Sequence, residues 1–219
     1  MSFTNPTTPN LTDFAAFVYA NGASSPVLPF GSMGTVAIDT SGNLTAATQS
    51  GTVSAGMALV GTGLIDTTYL STYSPTSFTG TVSPVPSSAV SDATVAAWSP
   101  YLAWAFNQAS GANLNPPPFL TPIIWVLATY NYGMHLLLKI AQDQPNQSFF
   151  QNLRTQFKLG SFLAGVLSNA SDEGTGAAIV VADPFKNLSL GNLDLLKTPY
   201  GREYLAYIQS YGPTIVGVS

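Results

Sequence analysis

Residues 198–213 read TPYGREYLAYIQSYGP. Thr198 supplies a side-chain acceptor suited to a helix N-cap, and Pro199 fits the first helical position because its missing amide would go unpaired there anyway. Tyr200, Tyr204, Tyr207, Ile208 and Tyr211 recur at three- and four-residue spacing, which predicts an aromatic stripe on one helix face, and Gly212-Pro213 stops the helix. Beyond it, Thr214 to Ser219 (TIVGVS) is β-branched and uncharged. Such a segment frays in water or pairs with another surface, so a docking tail is expected.

Composition narrows the setting. Only 7% of the 219 residues are charged and 46% are apolar, against roughly a quarter charged in an ordinary soluble domain. So little colloidal repulsion suits a protein sheltered by neighbours in an assembly, at a membrane or in a large particle. All the basic residues (Lys139, Arg154, Lys158, Lys186, Lys197, Arg202) lie from 139 onward, and the first part carries only Asp13, Asp39, Asp66 and Asp92. A nucleic-acid footprint needs a basic patch that displaces counterions, so sequence-specific nucleic-acid binding is not expected. There is no cysteine, which excludes disulfides and thiolate metal sites. The N-terminus, MSFTNPTTPNLTDF, has neither a basic n-region nor a long apolar run, so a secretory signal is not expected and synthesis in a cytoplasm is.

In order, the chain divides into three parts. In residues 1–22, Thr12 can cap a short helix from Asp13 to Ala20 that Gly22 ends. Residues 23–88 shift to Gly, Ser, Thr and Pro. There, Thr35 to Ile38 and Leu44 to Ala46 flank Asp39-Thr40-Ser41-Gly42-Asn43 as a hairpin, with further β segments at Val53 to Val60 and Ser77 to Val82. Residues 89–219 read as helical: Ser91 as an N-cap, then Val95, Trp98, Leu102, Ala105 and Ala109 as a stripe that Pro100 kinks or splits. Pro116-Pro117-Pro118 is a stiff connector. Pro122 to Gln142 is the longest helix, apolar nearly all round, as in a bundle centre or a membrane. Another helix starts at Asn146-Gln147-Ser148, with Phe149, Phe150, Leu153 and Phe157 buried and Gly160 ending it. The expected fold is mainly α, a short helical bundle with a β-rich, Ser/Thr/Gly-rich insertion near the N-terminus.

Candidate chemistry is sparse. His135 sits mid-helix on an apolar face, where a buried, hydrogen-bonded imidazole is expected rather than a base, because a base needs an orienting partner and a nucleophile. Asp172-Glu173, the adjacent acid pair, reads as solvated or capping a turn. Asp39, Ser41 and Asn43 lack the remaining ligands of a calcium loop and read as a turn. No nucleophile elbow, phosphate-binding loop or paired-histidine zinc motif is present, so no catalytic residue, metal or cofactor is expected.

Several strings carry a resemblance. Ala128-Thr129-Tyr130-Asn131 with His135-Leu136, Phe149-Phe150 with Leu153-Arg154, Gly165-Val166, Ser171 to Thr175, Leu195-Leu196-Lys197-Thr198-Pro199-Tyr200-Gly201-Arg202, Tyr204-Leu205 and Tyr211-Gly212 together resemble the head-to-tail connector, or adaptor, proteins of tailed bacteriophages. The resemblance covers about Pro118 to Ser219 and extends to the helix at Asp13-Phe14. It implies a structural virion protein in the neck between capsid and tail. Its copies would form a ring, dodecameric in the family, on the portal protein, with the tail terminator or another neck protein on the other face. Lys197, Arg202, Tyr211, Thr214, Ile215, Val216 and Val218 would then face the portal or a neighbouring subunit. The insertion at 23–88 departs from compact members of the family and is expected to decorate the ring or bridge subunits. Two other readings stay open: another tail or baseplate component, and an envelope-associated protein with a membrane hairpin from Trp98 to Leu138. The second arm of that hairpin carries Thr129, Asn131 and His135, which count against a lipid-facing span.

Overall fold

The computed structural model describes residues 3–23, 27–65, 68–112, 121–160, 169–172, 175–178 and 190–211. Helix α1 (Leu11–Ala20) leads into six strands, β1 (Phe30–Ile38), β2 (Asn43–Gly51), β3 (Ala58–Gly61), β4 (Tyr69–Ser74), β5 (Thr79–Ser83) and β6 (Val90–Trp98). Helices α2 (Pro100–Ala112), α3 (Pro122–Ile140) and α4 (Phe149–Gln156) follow. Then come the hairpin β7 (Asn169–Asp172) and β8 (Thr175–Ala178), and helices α5 (Leu190–Leu195) and α6 (Pro199–Tyr211).

The first six strands close into an antiparallel barrel in the order β1-β2-β5-β4-β3-β6. This corrects the expectation of a mainly α bundle with a β-rich insertion: a closed barrel stands beside the helices. The decisive segment is Val90–Trp98. Val95 and Trp98 fit a helical stripe, but the burial is a strand's: Val95 and Ala97 are buried in the barrel with Ala96 between them only partly buried, and Val90 rejoins the interior past an irregularity in the β1–β6 register. A strand places successive side chains on opposite faces, so this pattern fills a barrel interior. Antiparallel to β1, the segment pairs Phe30 with Trp98 and Ile38 with Val90, and it also pairs with β3. Pro100 therefore kinks nothing. It opens α2, where a missing amide costs least. Tyr69–Ser74 carries little strand signal, since Leu70 is its only fully buried position.

Met33, Val36, Ile38, Leu44, Met57, Leu59, Leu70, Val82 and Val95 fill the barrel, as expected of a barrel too small to hold a ligand. The β1–β2 hairpin follows its predicted loop. Asp39 accepts from the Ser41 and Asn43 amides at 2.8 and 2.9 Å, and Gly42 takes φ +83°, a conformation a side chain would strain.

A second core joins the barrel to the helices. Phe14, Leu102, Phe106, Tyr130, Met134 and Phe150 pack in one cluster with Val27, Leu28, Ala58 and Trp98. Trp98 stacks on Phe30 with centroids 4.4 Å apart and lies 6.3 Å from Tyr19. Helix α1 begins two residues before the predicted Asp13 and is capped by Asn10 rather than Thr12: Asn10 Oδ1 accepts from the Asp13 amide at 2.8 Å. Asp13 is itself buried. Burial works to raise its pKa, but hydrogen bonds from the Asn5 and Thr4 amides and the Asn10 and Thr4 side chains hold it below 3.8. At the far side, Asp143 accepts from the Phe150 and Gln151 amides to cap α4, and Arg154 donates to the Leu138 and Ala141 carbonyls at the end of α3.

Candidate functional site

The corner between α5 and α6 is built by the string Leu195 to Arg202. Thr198 caps α6: its Oγ1 accepts from the Gly201 amide at 2.9 Å, and its side chain is fully buried. Gly201 is required by contact rather than by φ. A β-carbon there would lie 2.2 Å from the Leu195 carbonyl oxygen, so only glycine lets the two helices meet this closely. Pro199 and Gly201, two positions apart, thus have separate reasons to stand at this corner.

Helix α3 locks onto this corner through His135. The imidazole is 1% exposed; its Nδ1 lies 2.8 Å from Thr198 Oγ1 and its Nε2 3.3 Å from Asp194 Oδ2. Burial, the largest influence, lowers the His135 pKa below 6.5; the Asp194 charge opposes it, and Lys139 and Lys197 add to the lowering. The ring is therefore neutral at pH 7. A carboxylate only accepts, so Nε2 carries the hydrogen toward Asp194, and Nδ1 accepts the Thr198 hydroxyl hydrogen. That tautomer satisfies all three groups while Thr198 Oγ1 keeps its lone pair for the Gly201 amide.

Asp194 gathers the cations. Lys139 Nζ donates to its Oδ2 at 2.6 Å, and Lys197 Nζ lies 3.7 Å from Oδ1. Partial burial would raise the carboxyl, but the Lys139 hydrogen bond and charge, together with His135, hold it below 3.8. Next to the network, Tyr132 and Tyr204 stack with centroids 4.6 Å apart. A cavity of about 180 Å³ opens there, lined by Tyr132, His135, Lys139, Asn192, Asp194 and Ile208 among others.

Thr198, His135 and Asp194 have the residue types of a nucleophile, base and acid, yet the arrangement is a fastening. A nucleophile must reach substrate, and this hydroxyl is buried and committed on both sides; the base needs a lone pair aimed at the reacting atom, and both ring nitrogens are engaged. What the network does is tie α3 to the α5–α6 corner with one buried polar joint. Among the described residues, no group of three or more potential ligands is placed to hold a metal ion, and no helix is long and apolar enough to cross a membrane.

Of the candidate interaction residues, Lys197 and Arg202 sit at this corner. Lys197 faces Asp194 within the chain, and Arg202 is exposed, its Nη1 donating to the Leu196 carbonyl at 3.3 Å. Tyr211 ends α6 and is 37% exposed. Thr214, Ile215, Val216 and Val218 lie outside the described residues, as do Glu173 and Pro116-Pro117-Pro118. Sequence reasoning found Thr198 as a cap and His135 as a buried imidazole but did not join them. It missed Asp194, whose signal is a lone acid in the apolar run LGNLDLL.

Comparisons with protein-family models, curated proteins and solved structures return no match.

Proposed function

We propose that this chain is a structural protein of a tailed-phage virion, an adaptor whose copies form a ring between portal and tail. The observation that carries the reading is the meeting of two strings that bear the family resemblance. Ala128 to His135 and Leu195 to Arg202 are joined where His135 and Thr198, 63 positions apart, share a 2.8 Å hydrogen bond. His135 and Thr198, one from each string, cannot change alone without leaving a buried polar group unsatisfied, which gives the two strings one structural reason to occur together. The 7% charged fraction supports a protein that lives against neighbours. The portal protein, a tail terminator or other neck protein, and further copies of the chain are the partners of this role, and neither cofactor nor metal belongs to it.

The barrel favours a second reading, another tail or baseplate component. Its outer face is rich in hydroxyls, with Ser32 bonded to Ser50 and Thr72 to Thr81 across strands at 2.8 Å. Such a surface suits close packing in a shell.

A binding experiment separates the two. Purified full-length chain mixed with purified portal rings should co-sediment with them, and a chain ending at Tyr211 should keep its circular dichroism and lose the portal. Equal binding by the shortened chain would remove the docking tail from the account. No binding by either would leave the second reading.

A further inference from the structure

β2 outruns the strand beside it. It extends over Asn43–Gly51, but β5 pairs with it only from Asn43 to Thr45, and the Ala46 amide reaches one carbonyl further, that of Phe78. From Thr48 to Gly51 it keeps β1 on one side and, among the described residues, has no strand on the other. The register fixes which groups face away. Thr52 donates its amide to the Phe30 carbonyl at 3.0 Å, and positions bonded to the partner recur at every second residue of an antiparallel strand. Ser50 and Thr48 therefore turn their backbone groups to β1, and Gln49 and Gly51 turn theirs outward. A side chain stands there in place of a strand: Gln49 Nε2 donates to the Gly51 carbonyl at 3.3 Å, while the Tyr73 hydroxyl donates to Gln49 Oε1 at 2.6 Å. Neither charge nor proline blunts this edge, since Ala46 to Thr52 contains none of either. Thr48, Ser50, Gly51 and Thr52 are exposed.

The chain carries a segment suited to such an edge. Thr214 to Val218 (TIVGV), outside the described residues, is uncharged, is β-branched at four of its five positions, and is set off from α6 by Gly212-Pro213. Five residues of strand extend about 17 Å, the length of the open run from Ala47 to Gly51.

We infer that Thr214–Val218 of a second copy of this chain adds to the open edge of β2 as a further strand. The backbone groups of Gln49 and Gly51 then pair with the incoming strand, and the Gln49 carboxamide gives up the Gly51 carbonyl to it. Tail and edge are different surfaces, so the contact is heterologous and repeats from copy to copy; closed on itself it makes a ring. This interface rests on the ring reading above and supplies its subunit contact. It also gives a chain ending at Tyr211 a reason to lose the portal, because a ring holds the portal at many points and a lone chain at one.

Because the chain contains no cysteine, Ser50→Cys and Gly217→Cys each introduce a single thiol. Equimolar mixtures of the two full-length variants treated with a short bismaleimide should give a cross-linked dimer that neither variant gives alone. A dimer from Ser50→Cys alone would mean that β2 edges pair with one another, and one from Gly217→Cys alone that tails do; either overturns the inference. A chain carrying both substitutions that links only within itself would place the tail on its own barrel and overturn it too. Adding Ile215→Pro and Val216→Pro to the Gly217→Cys chain removes the ladder donors of either register without touching the described fold, and should cut the mixed yield about tenfold, whereas Ile215→Val with Val216→Ile should leave it within about twofold. Equal yields from the two would overturn strand pairing. Multimers detected by light scattering without the mixed cross-link would overturn this interface and leave the ring reading standing. The mixed cross-link from a chain absent from the virion neck would keep the interface and remove the ring reading. A chain monomeric at every concentration and without the cross-link overturns the interface.

Discussion

His135 is the residue on which the helical half turns. Replacing it with alanine removes an imidazole that is 1% exposed and leaves Thr198 and Asp194 without their partner. The expected cost is about 2–4 kcal/mol, read as a fall in melting temperature. The joint also predicts the pH dependence. Its folded pKa lies below 6.5, so between those two values the unfolded chain binds a proton that the folded chain does not. Stability contributed by His135 is thus whole above pH 6.5 and is lost as pH falls toward the folded value. Asp194, also lowered, adds a second loss only below pH 3.8. Thermal melts from pH 8 to pH 5 should therefore decline in the native chain and decline less in His135→Gln; matching slopes would show that His135 is not the titrating group. Gly201→Ala sets a β-carbon 2.2 Å from the Leu195 carbonyl oxygen and should cost about 1–3 kcal/mol by overpacking. At this scale the sequence was readable in part. Thr198, Pro199 and the apolar setting of His135 follow from local rules, whereas Asp194 meets His135 only through the fold.

At the scale of elements, α1, α3, α4, α6 and the first hairpin were legible, whereas α5 and the barrel were not. The helices announce themselves through caps and stripes that need no knowledge of neighbours: α3 and α6 lie where periodicity puts them. β6 could not be read that way, because Val95 and Trp98 fit a helical stripe with Leu102 while Val95 and Ala97 fit a strand, and the run is too short to choose between them. Closure decided between them, since a strand there hydrogen-bonds to β1 on one side and β3 on the other. The same shared pairing makes a prediction. Val95→Pro removes a ladder donor and adds a ring inside the barrel, and the variant should fail to fold, whereas Pro100→Ala at the start of α2 should shift the melting temperature by no more than a few degrees. A Val95→Pro protein that melted like the native chain would restore the helical reading of this segment. Phe14, fully buried against Phe106 and Tyr130, tests the helical layer, and Phe14→Ala should cost about 3–5 kcal/mol in chemical denaturation.

For the whole molecule, the barrel is an integral layer rather than an appendage. Val27, Leu28, Ala58 and Trp98 share a core with α1, α2 and α3, so replacing residues 30–98 with a short linker should expose that core, abolish cooperative melting and favour aggregation. This is why residues 23–88 looked separable: their composition changes, but their contacts do not stop at the boundary. The charge asymmetry belongs to this scale too: between Phe30 and Trp98 the sequence carries acids alone, and every basic residue lies from Lys139 onward. In the proposed ring, that polarity would orient the repeating contact. The measurement that bears most directly on the account is a cryo-EM map of the neck of particles encoding this chain. The account predicts a ring on the portal in which the α3, α5 and α6 corner and the barrel both fit the density. Density confined to the tail tip or baseplate, or no copy of the chain in the particle, would contradict it.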